Sequence, residues 1–357
     1  MNGWFRTYLV PGLVFQSICI GGGYGTGREL AEFFLKYGPL GGFLGLLIAT
    51  AFISFMAVIA FELARMMKAY DYRSFLQLIL GRAWFLYEIL YLISVVLILA
   101  VVGAATGTLL TEAFNIPGIV GTMMLLAVIA YLAFKGTSVI ERVLSFWSFV
   151  LYGVYATVFI FSFIKFGPII RDTLATREIT DGWMLSSLKY ASLQCSMLPA
   201  VLFATAHIRE RRQAIIAGAI TGPIYLIPAG LFFVALLSIY PDVVDKPVPV
   251  NHLLQALDSR ALQMLFPIML MGTFVETGAG MIHAFNERIA AGLKALGKQM
   301  PDIYRPVIAL AVIVLALAMS RIGLIDLIAF GYGTMAWVFV AILIVPLMTV
   351  GLWRVVR

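Results

Sequence analysis

Residues 21–34 read GGGYGTGRELAEFF, inside an otherwise apolar segment that runs from about residue 7 to residue 35. Five of the first seven residues of this stretch are glycine, which is poor helix sequence. Glycines that serve close helix packing are usually spaced by four, whereas a cluster favours a break in the helix. The stretch also follows no strand, as a dinucleotide-binding fingerprint would. We therefore predict a discontinuous first helix whose break exposes backbone amides and carbonyls.

The composition places this break inside a membrane. Of the 357 residues, 62% are hydrophobic and 12% are charged, against about 25% charged residues in soluble domains. The apolar runs are long and continuous, which favours helices over alternating membrane strands. The net charge of +7 comes from basic residues in short loops, so it does not indicate a nucleic-acid partner. We predict an all-α integral membrane protein whose surroundings are the lipid bilayer.

Ten transmembrane helices, α1 to α10, account for the apolar segments. With the N-terminus placed inside, Lys and Arg are about twice as frequent in the inner loops as in the outer loops. We therefore expect a multi-pass protein of the cell membrane with both termini in the cytoplasm and α1 retained. The predicted ranges are about 7–35, 40–67, 84–112, 117–134, 138–165, 183–206, 213–239, 261–292, 303–320 and 333–353.

Two amphipathic stretches indicate that the ten helices form two related halves. Residues 72–80 lie between α2 and α3 on the inner side, and residues 251–257 lie between α7 and α8 on the outer side. The same feature thus recurs five helices apart on opposite sides of the membrane, which is typical of an inverted repeat. We predict a single transmembrane domain with a first five-helix repeat over 1–167 and a second over 168–357.

A second break is predicted in α6, the helix that corresponds to α1 in the second half. Its centre contains Ser192, Gln194, Cys195 and Ser196, and Pro199 follows. Proline removes a backbone donor and favours a break before it. A simple proline kink is the structural alternative for α6 alone. Two interrupted helices in corresponding positions, however, are the best sequence indication of a transporter binding site.

The 21–34 segment resembles the first-helix motif of the YkvI-like amino acid permeases, a Gly-x-Gly-Phe-x-Ser/Thr-Gly-Gln-Glu pattern followed by a Phe-rich stretch. Arg28 stands where that pattern has glutamine. The family belongs to the amino acid–polyamine–organocation (APC) superfamily. The resemblance implies the LeuT-type fold of five plus five inverted helices, with the substrate between α1, α3, α6, α8 and α10. It also implies that a sodium site, where present, lies between α1 and α8.

The predicted substrate site lies between the two breaks. A substrate carboxylate would bind the amides near Thr26 and Gly27, with α6 on the opposite side. Arg28 would lie beside that carboxylate or in an outer gate with Glu29 and Glu32, and snorkelling to the interface is the structural alternative. The candidate residues are Gly21, Gly22, Gly23, Tyr24, Gly25, Thr26, Gly27, Arg28, Ser192, Gln194, Cys195 and Ser196, with Tyr91 and Ser94 as weaker candidates.

Candidate ion-coupling residues lie in α8. Glu276 is near the middle of the helix, where an ionisable group is costly and usually functional, so it is a candidate for reversible protonation. Thr273 and Thr277 are four residues apart and face the same side. Their hydroxyl oxygens, together with backbone near Gly21 and Tyr24, are candidate ligands for Na⁺. A structural hydrogen bond is the alternative role of Glu276. Na⁺ and H⁺ both stay open as coupling ions, and no other cofactor is predicted.

These patterns together predict a secondary active transporter that moves a small organic solute, first of all an amino acid or related amine, by alternating access. A channel or an ion-only carrier would need a continuous polar pathway or a ring-forming filter, and the sequence indicates neither. A membrane enzyme would need convergent catalytic side chains, and the three histidines and two cysteines form no metal or catalytic motif. We therefore expect no enzyme activity and no catalytic residues, and no sequence signal indicates an oligomeric state.

Overall fold

The computed structural model describes residues 3–135, 137–295, 297–301 and 303–356, without the side chains at 22, 133–152, 284, 287, 291 and 295. These described residues form helices joined by turns and include no strand. Six segments are long and apolar enough to cross a membrane. Shorter apolar helices accompany them at Val10–Cys19, Gly118–Leu132 and Tyr304–Ser320. The predicted all-α class is confirmed.

The long helices follow the predicted order, and both predicted breaks are present. The helical pieces of α1 are Gly3–Tyr8, Val10–Cys19, Gly22–Gly25 and Arg28–Phe33. α6 is divided into Trp183–Cys195 and Leu198–Val201. The continuous helices are α2 (Pro39–Met67), α3 (Trp84–Phe114), α4 (Gly118–Lys135), α5 (Thr137–Ala175), α7 (Arg211–Leu236), α8 (Arg260–Ala295), α9 (Tyr304–Ser320) and α10 (Leu324–Val356).

Two helices extend beyond their predicted ends. α5 continues to Ala175, so the predicted boundary between the repeats falls inside a helix, before Pro168. The prediction that α10 begins at 333 is wrong, because the helix begins at Leu324. Gly331 lies inside this helix and packs on α3, since a Cβ atom there would lie 2.8 Å from Leu97. The helix passes this contact in a π-helical turn.

The two predicted amphipathic stretches both form short helices between long ones. Tyr72–Leu80 joins α2 to α3, and the carboxylate of Asp71 caps its first turn by accepting a hydrogen bond from the Ser74 amide at 2.9 Å. Pro249–Leu257 joins α7 to α8. It is anchored to α5, because Lys165 Nζ donates to the carbonyls of Ala256 and Leu257 at 3.0 Å each, and to α3, because Asn251 Nδ2 donates to Glu112 Oε2 at 2.8 Å.

The connecting segments lie on two sides of the molecule. On the first, which we call the Arg209 side, Arg65 Nη1 near the end of α2 donates to the Arg209 carbonyl at 3.2 Å. A ring nitrogen of His207 lies 2.7 Å from the Arg6 carbonyl oxygen, so the N-terminal segment is held there as well. On the second, which we call the Lys246 side, Arg28 Nη1 donates to the Lys246 carbonyl at 3.0 Å. The helices run between these two sides.

α2 and α7 approach each other closely through small residues. Gly218 and Gly222 are four residues apart on α7, and a Cβ atom at Gly218 would lie 2.5 Å from backbone atoms of Val58 on α2. Ser54 Oγ of α2 also donates to the Ala219 carbonyl at 2.7 Å. This small-xxx-small pattern lets two helix backbones pack directly, which is a common basis of helix association in membranes.

We expect Gly218→Ala to destabilise the protein by about 1–3 kcal/mol, because the added methyl group meets a backbone that cannot rotate away. Gly230→Ala on the same helix is the control, because a Cβ atom there would have nothing within 4 Å. Thermal unfolding of the two purified variants in one detergent measures the difference. Equal melting temperatures would contradict the assigned packing.

Candidate binding site

The breaks in α1 and α6 lie against each other. Cys19 ends the first part of α1, and its sulfur is 3.9 Å from the Gln194 carbonyl oxygen in α6. At the α6 break, the Ser196 carbonyl accepts a hydrogen bond from Tyr87 Oη of α3 at 2.6 Å. In α1, Gly27 has a φ of +79°, a left-handed conformation that glycine adopts readily. Backbone groups released at the breaks are thus paired within the protein, as a membrane requires.

A cavity of about 40 Å³ lies between the two breaks. Isoleucine, leucine and methionine side chains from α1, α3, α6, α8 and α10 form much of its wall. A cavity of this size holds a few water molecules, so a larger solute needs the wall to move. The polar and sulfhydryl side chains of the wall are Cys19, Glu29, Ser94, Gln194, Thr277 and Tyr332.

Glu29 is the acidic residue of this wall, within the part of the chain that the structure describes. It is 3% exposed, and its Oε2 atom lies 3.4 Å from Nε2 of Gln194. The Tyr190 hydroxyl and the Tyr24 amide also face its carboxyl group. Sequence analysis grouped Glu29 with the outer-gate residues and left it out of the binding site. Helical geometry held the missing signal, because residue 29 lies about 100° around the helix from its neighbour Arg28.

Gly23 provides the space that the Glu29 side chain occupies. A Cβ atom at Gly23 would lie 2.8 Å from Cγ and 2.9 Å from Cδ of Glu29. The glycine cluster therefore does more than interrupt a helix, because it also admits a carboxyl group to the break. At Gly21, by contrast, a Cβ atom would be 3.8 Å from Thr277, which is an ordinary contact.

Several predicted substrate-site residues lie at or beside the cavity. Gly21, Ser94 and Gln194 line it. Tyr24 is buried, and its ring centroid lies 5.9 Å from that of Tyr225 on α7. The surroundings of Gly22 lie outside the described residues. The remaining α6 candidates are buried at the break without lining the cavity: Ser192, Cys195 and Ser196.

The structure brings the end of the α1 break to the Lys246 side and not to the cavity. The Thr26 carbonyl accepts a hydrogen bond from the Val250 amide at 3.1 Å, and a Cβ atom at Gly27 would lie 3.0 Å from Phe232 of α7. Gly25 packs against Leu270 of α8 in the same way, because a Cβ atom at Gly25 would lie 2.7 Å from that side chain. These positions contact neighbouring segments, so a substrate at Thr26 and Gly27 would first have to separate them.

Arg28 also lies on the Lys246 side. Its Nη1 atom donates to the carbonyls of Val244 and Lys246 at 2.6 and 3.0 Å, and its Nη2 atom donates to Glu32 at 2.7 Å. Lys36 completes the group through a 3.1 Å contact with Glu32. The planar guanidinium thus ties the second part of α1 to the segment after α7. Arg28 and Glu32, two residues of the predicted outer gate, are thus paired, and the gating role stays a prediction.

Tyr91, the other weak candidate of α3, lies outside the cavity. It belongs to a cluster of side chains that faces the Arg209 side. Its ring is 3.6 Å from the guanidinium carbon of Arg288 on α8, and Tyr72 approaches the same guanidinium at 3.9 Å. Arg288 Nη1 also donates to Glu88 of α3 at 3.0 Å. This cluster joins α3, α8 and the short helix Tyr72–Leu80. Glu88 is thus part of an ion pair between α3 and α8.

The α8 candidates separate into two groups. Thr277 lines the cavity, and its Oγ1 atom is 3.4 Å from the Ile20 carbonyl oxygen at the α1 break. Thr273 is buried and donates to the Met269 carbonyl of its own helix at 3.1 Å. Glu276 is half-buried and does not line the cavity. Oxygen atoms of α1 and α8 therefore meet at Thr277.

No family model matches the chain. A relative with the name "Uncharacterized membrane protein YkvI", from Bacillus subtilis (strain 168), is 23% identical over 342 residues, covering 91% of this chain and 92% of the relative. The chain is thus similar to a YkvI membrane protein over nearly all its length. Membership of the APC superfamily stays a prediction.

Three solved structures resemble this chain over almost its full length. MhsT in complex with L-phenylalanine has a TM-score of 0.61 at 15% identity, covering 96% of this chain and 87% of MhsT. A Na⁺-coupled sialic acid symporter has a TM-score of 0.62 at 14% identity, with coverages of 95% and 76%. The Eremococcus coleocola manganese transporter has a TM-score of 0.57 at 18% identity, with coverages of 96% and 78%.

These similarities confirm the predicted fold class, because the matched proteins are transporters with the LeuT-type fold. Together with the apolar helices, they identify a multi-pass membrane protein.

We expect Gly23→Ala to destabilise the protein by about 1–3 kcal/mol, because the methyl group overlaps the Glu29 side chain. Gly21→Ala is the matched comparison, since the same methyl group there meets Thr277 at 3.8 Å. Thermal unfolding followed by tryptophan fluorescence in detergent measures both. An equal loss in the two variants would show that glycine serves only backbone flexibility at these positions.

Replacing Arg28 should loosen the Lys246 side. We expect Arg28→Gln to increase amide hydrogen exchange in residues 243–250 about tenfold, because hydrogen bonds to a charged group are each worth about 1.5–3 kcal/mol. Lys36→Gln removes the same charge from an exposed side chain and should change exchange little. Mass spectrometry of the exchanged peptides gives the comparison. If residues 243–250 exchanged at the same rate in the two variants, Arg28 would not be the residue that holds this segment to α1.

Proposed function

We propose that this protein is a secondary active transporter for a small amine-bearing organic solute, with amino acids as the first class to test. The observation that carries this proposal is the cavity at the facing breaks of α1 and α6. Its wall combines a carboxyl group and an amide with aliphatic and thioether side chains. Such a wall suits a compact solute that has both a charged group and an apolar part.

Two groups of non-covalent contacts, one on each side of the cavity, support a mechanism of alternating access. Arg28 ties α1 to the carbonyls of Val244 and Lys246, and Arg288 ties α8 to α3 through Glu88. Hydrogen bonds and ion pairs of this kind break and re-form without covalent change. We propose that the transport cycle opens one group while the other stays closed. The lysine and arginine bias supports a cytoplasmic position for the Arg209 side.

The driving ion is proposed from the oxygen atoms around the cavity. Thr277 Oγ1 and the Ile20 carbonyl lie 3.4 Å apart beside Gly21, which supports the predicted Na⁺ site between α1 and α8. Glu276 stays the predicted proton site of α8. A metal ion as the transported substrate is less well supported, because the described residues contain no group of three or more His, Cys, Asp or Glu residues.

Cys19 offers a direct test of solute binding, because it lines the cavity and the chain has only two cysteines. In a Cys195→Ala variant, we expect amino acids or amines that bind to slow the maleimide labelling of Cys19 several-fold. The Cys19→Ala variant is the control, since Cys195 is fully buried outside the cavity wall and its labelling should not respond.

Uptake into proteoliposomes completes this test. A solute that protects Cys19 should also enter liposomes saturably, in response to an imposed Na⁺ or H⁺ gradient. Varying the two gradients separately distinguishes the coupling ions. If a broad panel of amino acids and amines neither protects Cys19 nor accumulates in liposomes that contain folded protein, the proposed solute class is wrong. An ion flux without any solute would favour the ion-only carrier or the channel.

A further inference from the structure

Glu29 lies in the cavity without a resident positive charge. No lysine, arginine or histidine lines the cavity where the chain is described. Arg28, its neighbour in sequence, is bonded instead to Glu32 and to two carbonyls on the Lys246 side. The titratable groups around Glu29 are phenols and a thiol, which are neutral near pH 7 in water. They come from α1, α5, α6, α7 and α10: Cys19, Tyr24, Tyr155, Tyr190, Tyr225 and Tyr332.

An isolated carboxylate in this position is energetically unfavourable. Removing an ion from water costs several kcal/mol, and the neutral donors that face the carboxyl group, Gln194 at 3.4 Å with the Tyr190 hydroxyl and the Tyr24 amide, offset only part of that cost. Glu29 therefore needs a proton when the cavity is empty or a cation when it is ionised. The proton and the cation each neutralise the same carboxylate, so the binding of one displaces the other.

We infer that Glu29 holds in turn a proton and the ammonium group of a transported solute, so that solute binding releases the proton. This inference rests on the proposed function and names the group of the solute that is recognised. In the exchange, the O–H bond of the carboxyl group breaks and the proton passes to water. The electron pair stays on the carboxylate, which then accepts hydrogen bonds from the ammonium group.

The surroundings of Glu29 favour an organic ammonium group over a bare metal ion. A hard cation requires several oxygen ligands, and two oxygens of that kind, Thr277 Oγ1 and the Ile20 carbonyl, are already bonded to each other at 3.4 Å. The wall also presents thioether and aliphatic groups, among them Met197, Met281 and Leu193. An alkyl group attached to the ammonium would contact these side chains. A solute that has a carboxylate but no amine would instead meet a wall that carries its own acidic group.

Matched solutes test this recognition directly. Equilibrium binding to the full-length protein in detergent would compare leucine with isoamylamine, which lacks the carboxylate, and with 4-methylpentanoate, which lacks the amine. Alanine, ethylamine and propionate form a smaller set for the same comparison. We expect the amino acids or the amines to bind and the two acids not to bind. Calorimetry in buffers of different ionisation enthalpy would measure the released proton.

The apparent Kd of the solute should change with pH in one direction only. The protonated form of Glu29 excludes the ammonium group, so the apparent Kd should rise as the pH falls, by up to about tenfold per pH unit. Alkylammonium groups stay charged between pH 5.5 and 8, so the solute does not cause this change. Measurements across that range in the wild-type protein give the reference curve.

Three variants assign this dependence to one residue. Glu29→Gln should weaken binding at least about 30-fold and remove the pH dependence, because a buried charge partner is lost. Glu29→Asp keeps the carboxyl group and should keep the pH dependence with lower affinity. Glu276→Gln removes the carboxyl group that is the predicted proton site of α8, and the inference requires the pH dependence of binding to persist in this variant.

The outcomes distinguish the inference from the proposed function. If a solute binds Glu29→Gln with wild-type affinity and pH dependence, the inference is wrong and the proposed transport function stands. Loss of the pH dependence only in Glu276→Gln would assign the proton to α8 and overturn it equally. If Glu29→Gln does not elute as a folded protein, a pH-independent Glu29→Asp variant would contradict the inference. If none of the six probes binds the wild-type protein, the proposed solute class fails first.

Discussion

Backbone groups that leave a helix inside a membrane must find new partners, and the centre of this protein is arranged around that requirement. The α6 break is satisfied by a phenol, since Tyr87 of α3 donates to the Ser196 carbonyl. The α1 break meets α8 at Thr277, whose hydroxyl lies beside the Ile20 carbonyl. Because each partner belongs to another helix, the two breaks also fix how α1, α3, α6 and α8 approach one another. The cavity is the space that this arrangement leaves.

The polarity of the cavity follows from the same stretch of glycines. Only a residue without a side chain at position 23 leaves space for the Glu29 carboxyl group. Of the residues that follow, Arg28 binds carbonyls on the Lys246 side, whereas Glu29 faces Gln194. Two adjacent residues of opposite charge therefore serve different parts of the structure. This short irregular segment thereby supplies an acidic group to the interior and a basic group to the contact on the Lys246 side.

Local patterns predicted the features that depend on local chemistry. The glycine cluster and Pro199 indicated the breaks, and the periodicity of the short amphipathic stretches indicated the helices Tyr72–Leu80 and Pro249–Leu257. Features that depend on distant neighbours were not predictable in this way. The start of α10 was predicted at 333, although the helix begins at Leu324 and its Gly331 packs on Leu97 of another helix. The angle of about 100° between neighbouring helix residues separates the direction of Glu29 from that of Arg28, but which of the two faces α6 depends on where α6 lies.

The segment that contains Pro249–Leu257 is attached to three long helices at once. Val250 binds Thr26 of α1, Asn251 binds Glu112 of α3, and Lys165 of α5 binds the last turn of the short helix. A molecule that binds this surface and favours the attached state would therefore act on the α1 break without entering the cavity. Such a ligand would inhibit without competing with the solute for its site. By reciprocal linkage, any solute with higher affinity for the attached state would in turn tighten the binding of that inhibitor.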